Sequence, residues 1–406
     1  MLCQFTVKNF KSIRDEATLD LQAATISEHT DHLLVGQTGE QFLPVSAIYG
    51  PNGGGKSNVL AALRALKHKV LNPVRAASSK EPMGHSGEAT IAPFAFSLES
   101  RSSATEFEIF FQTEMAEYRY ILHVQKDEVV LESLDRIKFD TRRKSGLYHR
   151  DASGITLIGS FKQLQISEDL SETLPLLSYL GIAYGKNEVV RDVISWFRRG
   201  IIFSDYGNPL REMMFSVPKS DRLRKISLDL MREMDLGIDD FRIEERDNDN
   251  IEVFTQHTID GLCTWLSLSE ESSGTKKIFS LLQPIVIALQ SGAALVVDEL
   301  DAKLHPLLLR HIIQLFCDRD INRAGAQLVF TSHDLATMTS EIFRRDEIWF
   351  VAKGNQQNSK LYSLVEFKTE SGEAVRKDAK FDKQYLEGKY GADPYLRRLV
   401  TWEDLP

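Results

Sequence analysis

Cysteine is scarce in this 406-residue chain, with only Cys3, Cys263 and Cys317, far apart and without a CxxC pair. Such spacing argues against a disulfide framework or a zinc site and for reduced thiols in a cytoplasmic protein. No apolar run approaches the roughly 20 residues that a membrane helix requires. The opening MLCQFTVKNFKS also lacks the apolar stretch of a secretory signal. The expectation is a cytoplasmic protein with no membrane contact. Positive charge is in deficit: 49 Lys and Arg stand against 58 Asp and Glu, a net −9, so the chain as a whole is no basic nucleic-acid coat. Internal repeats, low-complexity blocks and sustained heptads are missing as well, which excludes a long coiled coil.

What is present is an α/β texture. CQFTVKNFKSI alternates apolar and polar residues and reads as a strand, and LPVSAIYG is a short apolar strand that runs into a glycine loop. Val59, Leu60, Leu63, Leu66, Val70 and Leu71 then recur at helical spacing. From about Ile91 to Leu157, short alternating segments such as FEIFFQ, YRYILHVQ and EVVLESL predict an antiparallel sheet. From Phe161 to about Leu236 the texture turns helical, and FRIEERDNDNIEVFTQH reads as a hairpin. The remainder alternates: a helix over TKKIFSLLQPIVIALQ with an expected kink at Pro284, a strand AALVVDE, a helix PLLLRHIIQLFCD and a strand AQLVFTS. This β-α-β order predicts a mostly parallel sheet with helices packed on it. The expected division is an N-terminal lobe over 1–160, a helical insertion over 161–240 and a C-terminal lobe over 241–406.

The loop is YGPNGGGKSN. Gly50 to Ser57 match G-x-x-x-x-G-K-[ST], and the residue types serve one chemistry. Glycines let successive backbone N–H groups point at phosphate oxygens with no Cβ in the way. Lys56 supplies a point charge to the β- and γ-phosphates, and the Ser57 hydroxyl reaches Mg²⁺. The helix that starts near Lys56 adds its N-terminal dipole. Gly50, Asn52, Gly53, Gly54, Gly55, Lys56, Ser57 and Asn58 are therefore the candidate binding residues for ATP.

AALVVDEL supplies a partner to the loop. A buried strand ending in Asp298 and Glu299 places two acids at its carboxyl end, where ligands sit in an open α/β sheet. Asp298 is the candidate Mg²⁺ holder and Glu299 the candidate that polarises water. In ESSGTKK, Ser272, Ser273 and Gly274 open a helix and form a second candidate anion site. His333, in LVFTSHD, follows another apolar strand and is positioned to touch a γ-phosphate. Lys56, Glu299 and His333 are the candidate catalytic residues.

The order of glycine loop, SSG helix, DE strand and histidine resembles the ABC-type ATPases of the SMC, RecF and OLD kind. The resemblance implies an ABC-ATPase head with a P-loop core, to which the mixed antiparallel region and helical insertion read above belong. It further implies two heads holding two ATP molecules between them, in a homodimer or higher homo-oligomer. Ser272, Ser273 and Gly274 of one copy would then face the loop of the other. FTVKNFKSI is similar to the first strand of those proteins, which implies that Asn9, Lys11 and Ser12 approach the nucleotide. NFKSI, IYGPNGGGKSN, LPLLSYL, ESSGTKK, VVDELDAKLHP, GAQLVFTSHD, DEIWFVAK and YLEGKYGADP also resemble, in order, the RloA/AbiLi ATP/GTP phosphatase family. The PARIS defence ATPase is a relative of that family. This second likeness implies ATPase activity in anti-phage, abortive-infection or toxin–antitoxin systems, beside a separately encoded effector, a nuclease or toxin.

Three departures stand out, one of them the absence of the long coiled-coil arms of SMC-like proteins. No glutamine follows the first helix to link Mg²⁺ to the attacking water; IAPFAF stands there instead, and Gln112 falls within the sheet region. Glu271 and Ser273 occupy positions where transporter ATPases show leucine and glycine. The tail residues Tyr385, Gly388, Tyr390, Gly391 and Pro394 carry no catalytic chemistry and read as a docked C-terminus. Beyond the resemblance, Arg136, Lys138, Arg142, Arg143, Lys144 and Arg150 fall within fifteen residues, and Arg198, Arg199, Lys219, Arg222, Arg224 and Lys225 follow in the insertion. These basic residues form either a nucleic-acid path, a site for an acidic partner, or a solvated hairpin and helix face. Asp247 and Asp249 lack a third ligand and read as a turn.

Overall fold

The computed structural model describes residues 1–72, 90–204, 221–234, 236–246, 250–368, 372 and 374–392. Its centre is a six-stranded sheet of β5 (Val45–Tyr49), β11 (Ile201–Ser204), β15 (Ala294–Val297), β16 (Gln327–Thr331), β17 (Ile348–Lys353) and β18 (Ser359–Ser363). The spatial order is β11-β15-β16-β5-β17-β18, parallel throughout except for the hairpin strand β18. A second, antiparallel sheet has the order β10-β9-β8-β7-β6-β1-β2. Its strands are β1 (Leu2–Lys8), β2 (Ala17–Asp20), β6 (Thr105–Gln112), β7 (Ala116–Gln125), β8 (Glu128–Lys138), β9 (Lys144–Asp151) and β10 (Gly154–Leu157). Strands β12 (Asp240–Arg246), β13 (Asn250–Ile259) and β14 (Leu262–Ser267) form a three-stranded meander, and β3 (Leu34–Val35) pairs with β4 (Gln41–Phe42).

The helices are α1 (Lys56–Leu71), α2 (Leu98–Ser102), α3 (Leu176–Ala183), α4 (Glu188–Arg199), α5 (Asp221–Glu233), α6 (Ser273–Ser291), α7 (Pro306–Cys317) and α8 (Phe381–Leu386). Alternation along the central strands decides which helices cover which face. Ile48, Val296, Val329 and Val351 point to one side, where α1, α3, α4 and the antiparallel sheet close the core. Val45, Ala47, Tyr49, Leu295, Val297 and Phe330 point to the other, against α6 and α7. Burial on both faces is why these strands read as continuous apolar runs. The buried Gln327 side chain ties β1 to β16, accepting from Leu2 N at 2.8 Å and donating to Leu2 O at 3.0 Å. Tyr385 and Tyr390 stack on Phe350 with ring centroids 5.6 and 5.0 Å away, docking the tail. Pro394 lies outside the described residues.

The α/β class with its antiparallel region is as the sequence predicts, and no helix among the described residues is long and apolar enough to cross a membrane. Several local expectations differ. The first strand ends at Lys8, because Asn9 and Lys11 take left-handed backbone angles (φ 54° and 48°) that turn the chain before Ile13. Residues 201–204, within the expected helical insertion, form the edge strand of the central sheet, paired with β15. Four residues are too few for periodicity to separate strand from helix. The central sheet also takes β5 from the N-terminal lobe and inserts it between β16 and β17 of the C-terminal one, so no sheet boundary follows the 1–160 and 241–406 division. The helix expected over TKKIFSLLQPIVIALQ is α6, with Pro284 inside it.

Candidate nucleotide site

Three neighbouring parallel strands, β15, β16 and β5, end on the same edge of the central sheet, and each delivers one part of the site. Gly50–Ser57 follow β5, Asp298 and Glu299 follow β15, and His333 follows β16. Ser332 N donates to Ile48 O at 3.1 Å and Leu300 N to Thr331 O at 3.1 Å, so the three loops share one hydrogen-bonded edge.

The loop has the backbone that a phosphate cradle needs. Gly55 caps α1 at φ 108°, a conformation that side-chain-bearing residues rarely adopt, and a Cβ there would overlap the hydroxyls of Ser359 and Ser12. Ser359 Oγ donates to Gly54 O at 2.6 Å and accepts from Ser12 Oγ at 2.7 Å, while Asn58 Nδ2 donates to Ser12 Oγ at 2.7 Å. Ser12 thus lies against the loop. Lys56 is buried and donates to Gly50 O at 2.9 Å and Pro51 O at 3.2 Å. Burial lowers the affinity of this ammonium for its proton, and the carboxylates of Asp298, Glu299 and Asp301 act in the opposite sense. Asn52, Gly53 and Ser57 are exposed on the open side of the loop.

Thr331 organises the acids. Its hydroxyl donates to Asp298 Oδ1 at 2.5 Å and accepts from Glu299 N at 2.7 Å. Glu299 holds φ 49°, and its side chain is exposed. Lys11, Ser57, Asn58, Arg64 and Asp298 line one pocket beside α1. His333 is exposed, its backbone N–H held by Asp301 Oδ2 at 3.1 Å. Its imidazole is pushed below the usual pKa, first by desolvation and then by the Lys56 charge.

The glycine backbone, the ammonium and a hydroxyl–carboxylate pair suit a triphosphate and a divalent cation. Ser57 and Asp298 are the side chains that would hold Mg²⁺.

Two other expectations turn out differently. Asn9 is buried and fully engaged away from the loop: Nδ2 donates to Ser100 O, Ser103 O and Ala104 O, and Oδ1 accepts from Phe94 N. It shapes the segment before β6. Arg150, grouped with the basic stretch, is buried too and donates to Leu174 O at 2.8 Å. Lys144 pairs with Asp135 at 3.2 Å, and Arg142, Arg143 and Lys144 are exposed at the β8–β9 turn. Gln112 is buried and donates to Glu117 at 3.1 Å. Lys219, Asp247 and Asp249, with the Arg222 side chain, lie outside the described residues.

Ser272 caps α6, accepting from Thr275 N at 3.0 Å, and Ser272 and Ser273 are exposed. Among the described residues no hydrogen bond joins Ser272, Ser273 or Gly274 to the loop of the same chain. Glu271 accepts from His257 Nε2 at 2.7 Å and Thr255 Oγ1 at 2.5 Å, which fixes this turn to β13. Sequence reasoning missed Thr331, Asp301, Ser359 and Lys277. Thr331, Asp301 and Lys277 lie within the quoted LVFTSHD, VVDELDAKLHP and ESSGTKK stretches; Ser359 has no local signal because it reaches the loop from β18.

A family model described as "AAA domain, putative AbiEii toxin, Type IV TA system" matches residues 45–339. No curated protein matches the chain. Among solved structures, the SMC head domain from Thermotoga maritima is 16% identical with a TM-score of 0.42, covering 89% of this chain and 98% of that one. An Smc head bound to the C-winged helix domain of ScpA is 13% identical with a TM-score of 0.45, covering 89% and 97%. An Smc head with a coiled coil and joint from Pyrococcus yayanosii is 11% identical with a TM-score of 0.42, covering 95% and 99%.

Proposed function

This chain belongs to the AAA_21 family of AAA domains, and from that premise we propose that it is an ABC-type ATPase whose heads associate around Mg-ATP and regulate a separately encoded effector. The observation that carries the reading is the convergence of Lys56, Asp298, Glu299 and His333 at one edge of three adjacent parallel strands. The loop N–H groups and Lys56 bind the phosphates, with Asn52, Asn58, Lys11 and Ser12 around them. Mg²⁺, held by Ser57 and Asp298, supplies charge neutralisation there. Glu299 takes the proton of the attacking water, and His333 donates to the γ-phosphate.

The exposed Ser272 and Ser273, with Gly274 beside them, make no hydrogen bond to the loop of their own chain among the described residues, which supports a role across a homodimer or higher homo-oligomer. The family description names an AbiEii toxin and a Type IV toxin–antitoxin system. That supports an abortive-infection or anti-phage setting in the cytoplasm, where the effector is a nuclease or toxin. A second reading, a DNA-stimulated ATPase of the RecF kind, rests on the exposed Arg142, Arg143 and Lys144 turn.

The test is Glu299→Gln, with solution mass and phosphate release recorded in the same Mg-ATP samples. The expected result is turnover reduced by about 100-fold or more, with a dimer or larger species accumulating. Hydrolysis at the wild-type rate would overturn the role of Glu299, and an ATP-independent monomer would overturn head association. Charge reversal at Arg142, Arg143 and Lys144 separates the second reading, which alone requires DNA-stimulated turnover to collapse.

A further inference from the structure

A second cluster of ligand-bearing side chains lies away from the nucleotide loop, on the segment between β2 and β3. His29, Asp31 and His32 each offer one ligand atom, and these atoms lie within 4.8 Å of one another. The two imidazoles stack with centroids 4.9 Å apart and planes 17° from parallel. The geometry points to a divalent metal site of the zinc class, formed by His29, Asp31 and His32.

The tautomers agree with this assignment. His29 Nε2 lies 2.8 Å from the backbone carbonyl of Ser340, which can only accept, so Nε2 carries the proton and Nδ1 keeps its lone pair. A ligating histidine whose second nitrogen donates to a carbonyl is the usual arrangement around a protein metal. His32 Nδ1 is buried and has no hydrogen-bond partner among the described residues, while His32 Nε2 lies 3.9 Å from Asp31 Oδ2. The Nε2 edge of the His32 ring therefore faces the carboxylate of the third ligand.

The segment is held firmly in place. Arg344, fully buried, donates to Glu28 O and, at 3.2 Å, to Ala24 O, and it pairs with Asp346 at 2.7 Å. Arg345 pairs with Glu28 at 2.8 Å, and Arg319 donates to Leu33 O. Both flanks of the three ligands are therefore fixed by guanidinium groups. The positive charge is balanced in the cleft that the cluster opens onto, which is also lined by Asp318, Asp320 and Glu341.

Ligand atoms around a tetrahedral zinc, bound at 2.0–2.2 Å, lie roughly 3.3 Å apart. The present spacing closes to that with side-chain rotation, most easily of Asp31, whose side chain is 83% exposed. Nitrogen and carboxylate ligands with no thiolate select Zn²⁺, Co²⁺ or Ni²⁺ over Mg²⁺, so this site and the nucleotide site take different ions.

The experiment uses the full chain, free of nucleotide and affinity tag, stripped with a chelator and dialysed. Co²⁺ is titrated while its visible absorption is followed, and Zn²⁺ affinity is read by competition with a chromophoric chelator. One ion per chain is expected, and His29→Ala and Asp31→Asn should each weaken binding by about 100-fold or more. If His29→Ala fails to fold by circular dichroism, Asp31→Asn, a change at an exposed side chain, carries the test alone. No stoichiometric binding by the wild type overturns the assignment. So does undiminished affinity in a folded variant, or loss of the site in Cys263→Ser. The readout is metal content, so the result is independent of whether the chain hydrolyses ATP.

Discussion

Lys277 Nζ donates to the backbone carbonyl of Glu299 at 3.1 Å. One end of this bond sits one turn into α6, directly behind Ser272, Ser273 and Gly274; the other is the candidate water-activating acid. Glu299 is held in a left-handed conformation that L-residues adopt at a cost. A cation that grips its carbonyl links the position of α6 to the position of the acid. If a second copy pulls on the helix N-terminus, the displacement reaches Glu299 through Lys277.

Lys277→Met tests this link by removing the donor while keeping most of the apolar stem. A hydrogen bond from a charged group contributes a net ~1.5–3 kcal/mol. Lost entirely from the transition state, that is about ten- to a hundredfold in rate. We expect single-turnover hydrolysis to slow at least about tenfold while binding of a fluorescent ATP analogue stays near the wild-type value. Equal losses in both would place Lys277 in nucleotide binding instead.

Thr331→Val should destabilise the free protein before any nucleotide is added. The valine keeps the shape but leaves Asp298 Oδ1 and Glu299 N without the hydroxyl that now serves both. Losing a partner at these part-buried polar groups costs about 1 kcal/mol. Urea unfolding should show this as a lower midpoint at unchanged slope. Thr331→Ser, which retains the hydroxyl, should recover most of the loss.

Much of this arrangement is legible in the chain because its signals are local. GPNGGGKS between an apolar strand and an amphipathic helix, VVDE at the end of a buried strand and TSHD after another each place their residues on the sheet edge where the structure has them. What is not legible depends on contacts distant in sequence. Ser359 reaches Gly54 from β18, Arg150 turns inward to carbonyls near Leu174, and β11 finds its partner only in β15. Asn9 shows the same limit in the other direction: its position in FTVKNFKSI resembles a nucleotide contact, but a three-carbonyl cage consumes its amide.

Gly55→Ala should abolish nucleotide binding, and Ser359→Ala should not rescue it. The added methyl would overlap the Ser359 and Ser12 hydroxyls, and relieving one leaves the other. The φ of 108° also remains unsuited to alanine. Isothermal titration with ATP on the single and double variants measures this. Binding restored in the double variant would show that the overlap with Ser359, rather than the backbone angle, makes glycine necessary.

His333 makes the stability of the nucleotide-free protein depend on pH. Desolvation, followed by the Lys56 charge, holds its folded pKa below the ordinary histidine value of 6.5, against the smaller opposing effects of Asp301, Glu299 and Asp298. Between the lowered folded pKa and 6.5, the unfolded chain binds more protons than the folded one. Stability therefore rises with pH across that window and is lost as pH falls through it. His333→Asn, neutral throughout, removes this contribution, while His32 and His123, also lowered by burial, remain in both proteins and cancel. Urea midpoints taken on either side of 6.5 should fall less steeply with acid in the variant than in the wild type. Parallel curves would mean that His333 titrates as a solvated side chain, which would remove the electrostatic ground for placing it beside Lys56.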